Sequence, residues 1–196
     1  MDIFKDLNRL QRIVLSSEQK ELGNWAFAGC ESLKTVILPE SLEYIGDNAF
    51  DGCKNLKNIN IPKSLKSYGK EVFSWCSSIE KVEVSSGQTK LSNYFFAGCE
   101  SLQTVTLPEG LEYIGDCAFY DCTNLKEIYL PETVVKIGKN AFCNCEKLTA
   151  INIPKNIEEI GEGAFAGCPI PKQTIRKLRK IQKQNVQTQS KKLVNQ

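Results

Sequence analysis

Hydrophobic residues recur along this chain every 23 residues, in seven units without an insertion or deletion. Each unit opens with leucine or isoleucine, and further aliphatic residues follow three and five positions later with a variable residue between them. This alternation is typical of a short strand that is buried on one face. The opening positions are Leu10, Leu33, Leu56, Ile79, Leu102, Leu125 and Leu148.

The second half of each unit carries a turn and another inward-facing pair. A proline such as Pro39 follows the strand in five units, and it ends the hydrogen-bonded ladder because it has no N–H to donate. A second aliphatic pair, such as Leu42 and Ile45, precedes a glycine. That glycine indicates either a positive φ or a close approach of two backbones. The glycines are Gly23, Gly46, Gly69, Gly115, Gly138 and Gly161.

Two further columns complete the unit. Phenylalanine recurs at Phe27, Phe50, Phe73, Phe96, Phe119, Phe142 and Phe165. Cysteine recurs at Cys30, Cys53, Cys76, Cys99, Cys122, Cys145 and Cys168. One unit cannot bury these side chains alone, whereas stacked units bury them along one continuous core. The sequence therefore predicts a repeat solenoid with parallel strands, of the α/β type, built from seven 23-residue repeats.

The repeat L-x-x-V-x-L-P-x-x-L-x-x-I-G-x-x-A-F-x-x-C resembles the BspA-like (Treponema pallidum type) leucine-rich repeats, and it covers residues 10–170. The resemblance implies a right-handed, curved array with its parallel sheet on the concave face. It also implies a bacterial protein of a family that is often displayed on the surface and linked to adhesion or host-protein binding. The family has no catalytic motif to transfer to this chain.

The ends of the chain predict caps and a charge asymmetry. Residues 1–9 are expected to form an N-terminal cap, 10–170 the solenoid, and 171–196 a basic cap helix followed by a disordered tail. Residues 171–196 hold eight of the 25 basic residues and no acidic residue, so the first 170 residues carry 17 − 23 = −6. An acidic body argues against nucleic-acid binding by the solenoid. The basic tail could instead contact an anionic membrane or nucleic acid.

The residue types argue against catalysis and metal binding. The chain has no histidine, so the usual general base and the Ser-His and Cys-His nucleophile pairs are absent. A linear column of cysteines does not supply the converging ligands of a zinc site, and its members are expected to be free, buried thiols. Cys117 and Cys143 lie outside the column and are expected to be exposed. We expect no enzyme activity, no metal and no cofactor.

The fourth unit, residues 79–101, departs most from the repeat. Ser85, Gln88, Ser92 and Phe95 replace its proline, aliphatic residue, glycine and alanine. One interpretation is a tolerated irregular unit with a local change of curvature. The other is a binding hot spot near Trp75 and Tyr94, because departures from sequence rules often mark functional sites.

The strand residues between the buried columns are expected to face solvent and bind a protein partner. We call these candidate positions the strand face. They are Arg12, Val14, Thr35, Ile37, Asn58, Asn60, Lys81, Glu83, Thr104, Thr106, Glu127, Tyr129 and Asn152. The alternatives are glycan binding through exposed tryptophans and tyrosines, such as Trp25, Trp75, Tyr44 and Tyr113, and tethering through the basic tail.

The sequence leaves two expectations open for the cellular location of the protein. No apolar stretch is long enough for a transmembrane segment, and the chain begins without the pattern of a secretory signal. A cytoplasmic protein is expected if Met1 is the native start, and a secreted or surface protein if the habit of the family holds. We expect a monomer.

Overall fold

The computed structural model describes residues 9–84, 87–178 and 180–181. Over these residues the chain winds through seven turns, each contributing two short strands to two columns. The first strand column consists of β1 (Arg12–Val14), β3 (Thr35–Ile37), β5 (Asn58–Ile59), β7 (Lys81–Glu83), β9 (Thr104–Thr106), β11 (Glu127–Ile128) and β13 (Ala150–Ile151). The second consists of β2 (Glu21–Leu22), β4 (Tyr44–Ile45), β6 (Ser67–Tyr68), β8 (Lys90–Leu91), β10 (Tyr113–Ile114), β12 (Lys136–Ile137) and β14 (Glu159–Ile160).

Strand pairing follows the sequence repeat. All paired strands are parallel, and each residue pairs with the residue 23 positions later, as Ile13 does with Val36 and Ile114 with Ile137. The aliphatic residues of both columns point inward into one continuous core. The predicted parallel-strand repeat solenoid is confirmed, with turns rather than helices completing each unit.

The phenylalanine column forms a continuous stack through the core. Successive rings are stacked with their centroids 5.1–5.8 Å apart. The five interior rings, from Phe50 to Phe142, are fully buried, while Phe27 and Phe165 at the two ends are partly exposed. Each interior ring is therefore covered by the rings of the turns before and after it.

The segment around each phenylalanine, residues 24–30 and their equivalents, provides the most regular contact between turns. We call this segment the Phe turn. In the first one, the amides of Trp25, Phe27 and Gly29 donate to carbonyls 22 residues later, at 2.9, 2.8 and 2.7 Å. The equivalent three amides donate in the same way at all six interfaces between turns.

Each Phe turn needs two residues in the left-handed region of φ. The first of the two positions is occupied by Trp25, Asn48, Glu71, Tyr94, Cys117, Asn140 and Gly163, and the second by Gly29, Gly52, Trp75, Gly98, Asp121, Asn144 and Gly167. Glycine, asparagine and aspartate adopt this conformation most easily.

Of the two roles that the sequence indicated for the repeated glycine, positive φ or close approach of two backbones, the structure supports the second. Gly46 and its later equivalents do not have positive φ. A Cβ atom at Gly46 would instead overlap the backbone of Asn24 in the preceding turn. These glycines allow close packing of neighbouring turns.

The cysteine column serves as a row of small buried donors. Each thiol from Cys53 onward donates to the carbonyl of the phenylalanine 26 residues earlier, at 2.9–3.2 Å. Burial raises the pKa of the Cys99 thiol well above its usual value, which keeps it protonated as a donor. All nine cysteines are free, as expected for the column. The expected exposure of Cys117 was wrong, because it is 8% exposed, whereas Cys143 is half-buried.

Both strand columns are interrupted between the third and fourth turns, a place that we call the seam. There β5 and β7 lie in different sheets, as do β6 and β8. In the second column, side chains bridge this gap. Tyr68 donates its hydroxyl to Lys90 O at 2.7 Å, and Gln88 donates its amide to Leu65 O at 2.6 Å.

Of the four unusual residues of the fourth unit, Gln88, Ser92 and Phe95 are buried at this seam, and Ser85 lies outside the described residues. Phe95 is buried, with its ring centroid 4.4 Å from that of Tyr68 and 4.8 Å from that of Phe96. Phe95 is larger than the alanine found at this position in most units. Its ring fills the space beside Tyr68, which stands where other turns have an aliphatic residue. This packing favours a tolerated irregular unit over an exposed hot spot for Gln88, Ser92 and Phe95, all of which are buried.

A short helix lies at the C-terminal end of the core. Residues 172–178 and 180–181 are helical, and we call this helix α1. Leu178 is buried, and Ile175 and Ile181 pack against the core. The expected N-terminal cap lies outside the described residues except for residue 9, and the expected disordered tail lies outside them from residue 182 onward. The described part of the chain contains no helical segment with the length and hydropathy of a bilayer span.

The phenylalanine stack predicts a stability gradient from the centre to the ends. Phe96→Ala should lower the free energy of unfolding by about 3–5 kcal/mol, because it leaves a cavity between two stacked rings. Phe27→Ala should cost less, since this ring is partly exposed and stacks on Phe50 alone. Urea unfolding followed by circular dichroism measures both. Equal losses for the two variants would contradict the stacking account.

Candidate binding surface

The structure presents the strand face to solvent. Eleven of its thirteen positions are exposed, and Thr35 and Asn152 are half-buried. The three-residue strands show the cause, because β1, β7 and β9 each bury their middle residue between two exposed neighbours. Since the paired strands are in register, equivalent positions lie side by side on neighbouring turns within each sheet.

Two asparagines of the strand face form hydrogen bonds to the preceding turn. Asn60 accepts from Leu38 N at 3.4 Å and donates to Leu38 O at 3.2 Å. Asn152 makes the same pair of bonds to Leu130, both at 2.7 Å. These amides replace main-chain pairing, which explains why β5 and β13 pair over only two residues. Their side chains are therefore less free to bind a partner than the sequence suggested.

The large exposed hydrophobic residues of the strand face lie toward its two ends. Val14 is 61% exposed and Ile37 38% exposed, and the two are paired neighbours on β1 and β3. Tyr129 follows β11 and is 63% exposed. The equivalent positions between them hold Asn60, Glu83 and Thr106, so polar residues separate the two hydrophobic areas.

A second group of exposed aromatic residues lies on the Phe turns. Trp25, Trp75 and Tyr94 are 57%, 46% and 42% exposed, and each has a φ near +60°. This conformation is costly for bulky side chains, at about 1–2 kcal/mol per residue. Gly98 forms the seat of the Trp75 ring, because a Cβ atom there would overlap it.

The other aromatic residues proposed for this patch are less available. Tyr44 and Tyr113 are half-buried. The Tyr113 ring lies between two lysine side chains, with Lys90 Nζ 4.9 Å and Lys136 Nζ 5.7 Å from its centroid. Lys136 also forms an ion pair with Glu159 at 2.8 Å. Tyr113 therefore belongs to a charged row on the second strand column rather than to the Phe turns.

Two carboxylates, Glu43 and Asp51, have shifted pKa values. Glu43 accepts from Lys66 at 2.6 Å, and this bond lowers the pKa of Glu43. Burial, with the nearby charge of Glu71, raises the pKa of Asp51, while Ser74 opposes the shift. Within the described residues, no group of three or more cysteines and carboxylates is placed to hold a metal ion.

The fold and its exposed rows define a leucine-rich repeat solenoid. The sequence model of the BspA type Leucine rich repeat region matches residues 1–122 and 66–193, with six copies. The chain belongs to this family, which confirms the resemblance seen in the repeat. The family model counts six copies, whereas the structure has seven strands in each column.

Solved bacterial proteins share this fold. A leucine-rich repeat protein from Eubacterium ventriosum is 29% identical, with a TM-score of 0.76 over 83% of this chain and 44% of that protein. This chain therefore spans less than half of its length. The Treponema pallidum leucine-rich repeat protein is 26% identical, with a TM-score of 0.57 over 87% of this chain and 83% of that one. No curated protein matches the chain.

The seat of Trp75 gives a test of the aromatic group with a matched control. Gly98 and Gly29 have the same φ, +70° and +71°, but Gly29 faces open space. Gly29→Ala should cost about 1–2 kcal/mol from backbone strain alone. Gly98→Ala should cost more and shift the fluorescence of Trp75, because the ring must leave its seat. Equal stability losses with unchanged fluorescence would contradict this placement of the ring.

Proposed function

We propose that this chain is a non-enzymatic interaction module whose strand face binds a protein partner. The observation that carries the proposal is the contrast between the repeated, buried core columns and the varied, exposed rows of the strand face. Large exposed side chains such as Ile37 and Tyr129 are suitable anchors, since a few residues that become fully buried supply most of the free energy at protein interfaces.

Several features support a role without catalysis. The chain has no histidine. The carboxylates with shifted pKa, Glu43 and Asp51, belong to a surface ion pair and to a partly buried turn, respectively. Asp51 lies near Glu71 and Ser74, but the chain has no histidine to complete a Ser-His pair there. The family resemblance further favours bacterial adhesion or host-protein binding as the biological setting.

A second candidate function is glycan binding by the Phe-turn aromatics. Trp25, Trp75 and Tyr94 favour it, because their side chains are exposed and their backbones adopt a costly positive φ. Unusual backbone conformations at exposed residues are a reason to suspect function. We define Trp25→Ala/Trp75→Ala as the variant that tests this alternative without touching the strand face.

The strand-face proposal predicts loss of partner capture in a double variant. Ile37→Asp/Tyr129→Asp places two charges where hydrophobic anchors are proposed, and it should weaken binding of a captured protein by at least about 100-fold. The fold should be unchanged, because both side chains are exposed. Immobilised wild-type chain is used to isolate binding proteins by mass spectrometry, and affinities are then measured with purified partners.

The controls separate the three functions. Trp25→Ala/Trp75→Ala should leave protein capture unchanged, and a glycan array with this variant tests the second candidate. Removing residues 182–196 tests tethering, since loss of salt-sensitive binding to anionic vesicles or nucleic acid would support the tail instead. Unchanged capture by Ile37→Asp/Tyr129→Asp would reject the strand face.

A further inference from the structure

The last strand of the first column has an unpaired side. β13 pairs with β11 alone among the described strands, and α1 lies near its other side. One cavity, of about 660 Å³, lies along β9, β11 and β13 and extends to α1, with Tyr129, Ile151 and Thr174 among its lining residues. A second, of about 500 Å³, shares Ile151 and Thr174 with the first. We call the two neighbouring cavities together the helix groove.

The floor and wall of the helix groove differ in chemistry. Ile151 and Ile153 line the floor of the second cavity, and Ile151 is only partly buried although its equivalents in the preceding turns are buried. The wall is basic, because Arg176, Lys177 and Lys180 of α1 line the same cavity. Among these, Lys177 donates to Ile153 O at 2.7 Å. The second cavity therefore combines an exposed strand edge, an apolar floor and a positive wall.

The C-terminal tail of this chain does not complement that charge. Residues 182–196 contain Lys183, Lys191 and Lys192 and no acidic residue, so their charge has the same sign as the groove wall. The acidic residue that lines the groove is Glu127, in the first cavity. A ligand with carboxylates would therefore place them in the second cavity, away from Glu127.

We propose that the helix groove binds an extended acidic peptide segment of a protein partner, which adds as a strand beside β13 and places its carboxylates against Arg176 and Lys180. Addition of a strand satisfies main-chain groups at an open sheet edge, and pockets for alternate side chains provide selectivity. The combined cavities are large enough for several side chains, since ligand pockets commonly measure about 300–1,000 Å³. This inference rests on the proposed function, because the groove opens onto the strand face at Tyr129.

The first experiment uses fluorescence anisotropy with three labelled six-residue peptides and the full chain. The probe alternates glutamate and valine, the second peptide has glutamine for each glutamate, and the third is the acidic probe with every backbone amide methylated. The acidic probe should bind, and the glutamine peptide should bind about tenfold more weakly. The methylated peptide should lose binding, because it cannot donate to the strand edge.

Variants of the chain locate the binding. Arg176→Gln/Lys180→Gln should weaken binding of the acidic probe about tenfold. The matched control Lys155→Gln/Lys172→Gln removes the same charge from exposed positions that do not line either cavity, and it should change the affinity by less than about twofold.

The outcomes distinguish this inference from the proposed function. Ile37→Asp lies outside the groove and should leave binding of the acidic probe unchanged. Absence of probe binding at about 1 mM, equal binding of the methylated peptide, or equal weakening by the control variant would each overturn the groove proposal. Capture of a partner that still depends on Ile37 and Tyr129 would then leave the strand-face proposal standing.

Discussion

The Phe turn is the contact on which the remainder of the solenoid depends. Its three amides donate to the next turn at every interface, including the seam where both strand columns are interrupted. The stacked rings, the thiol donors and the closely packed glycines all lie in or beside this segment. Since a repeat array gains its stability from intrinsic and nearest-neighbour terms, an unbroken ladder joins the seven turns into one structure.

Specific side chains maintain that continuity where the repeat is irregular. At the seam, Tyr68 and Gln88 provide hydrogen bonds, and Phe95 provides volume. On the strand face, Asn60 and Asn152 provide bonds to the preceding turn. The same surface that is free to vary for binding therefore also contributes to the fold at selected positions. Arg12, Ile37, Glu83 and Tyr129 have no such side-chain bond among those described, which makes them better candidates for partner contacts.

Much of the fold followed from the sequence, because the 23-residue period imposes the strand register directly. The alternation of strand residues also predicted which positions of the strand face are exposed. The hydrogen bonds of Asn60 and Asn152 to the preceding turn could not be predicted, since they depend on where the strands stop pairing. The burial of Cys117 was missed because it depends on the neighbouring Tyr94, which shares a side-chain hydrogen bond with the thiol. The helix groove also depends on the packing of α1, which the sequence predicted only as a cap.

Amide hydrogen exchange across the Phe turns tests the central claim most directly. The phenylalanine amides from Phe27 to Phe142 all donate to the next turn, so their protection measures the ladder itself. The account predicts strong protection at Phe73, Phe96 and Phe119, continuous through the seam, and weaker protection at Phe27, where the array ends. Rapid exchange at Phe73 or Phe96, or protection no greater than at Phe27, would contradict it.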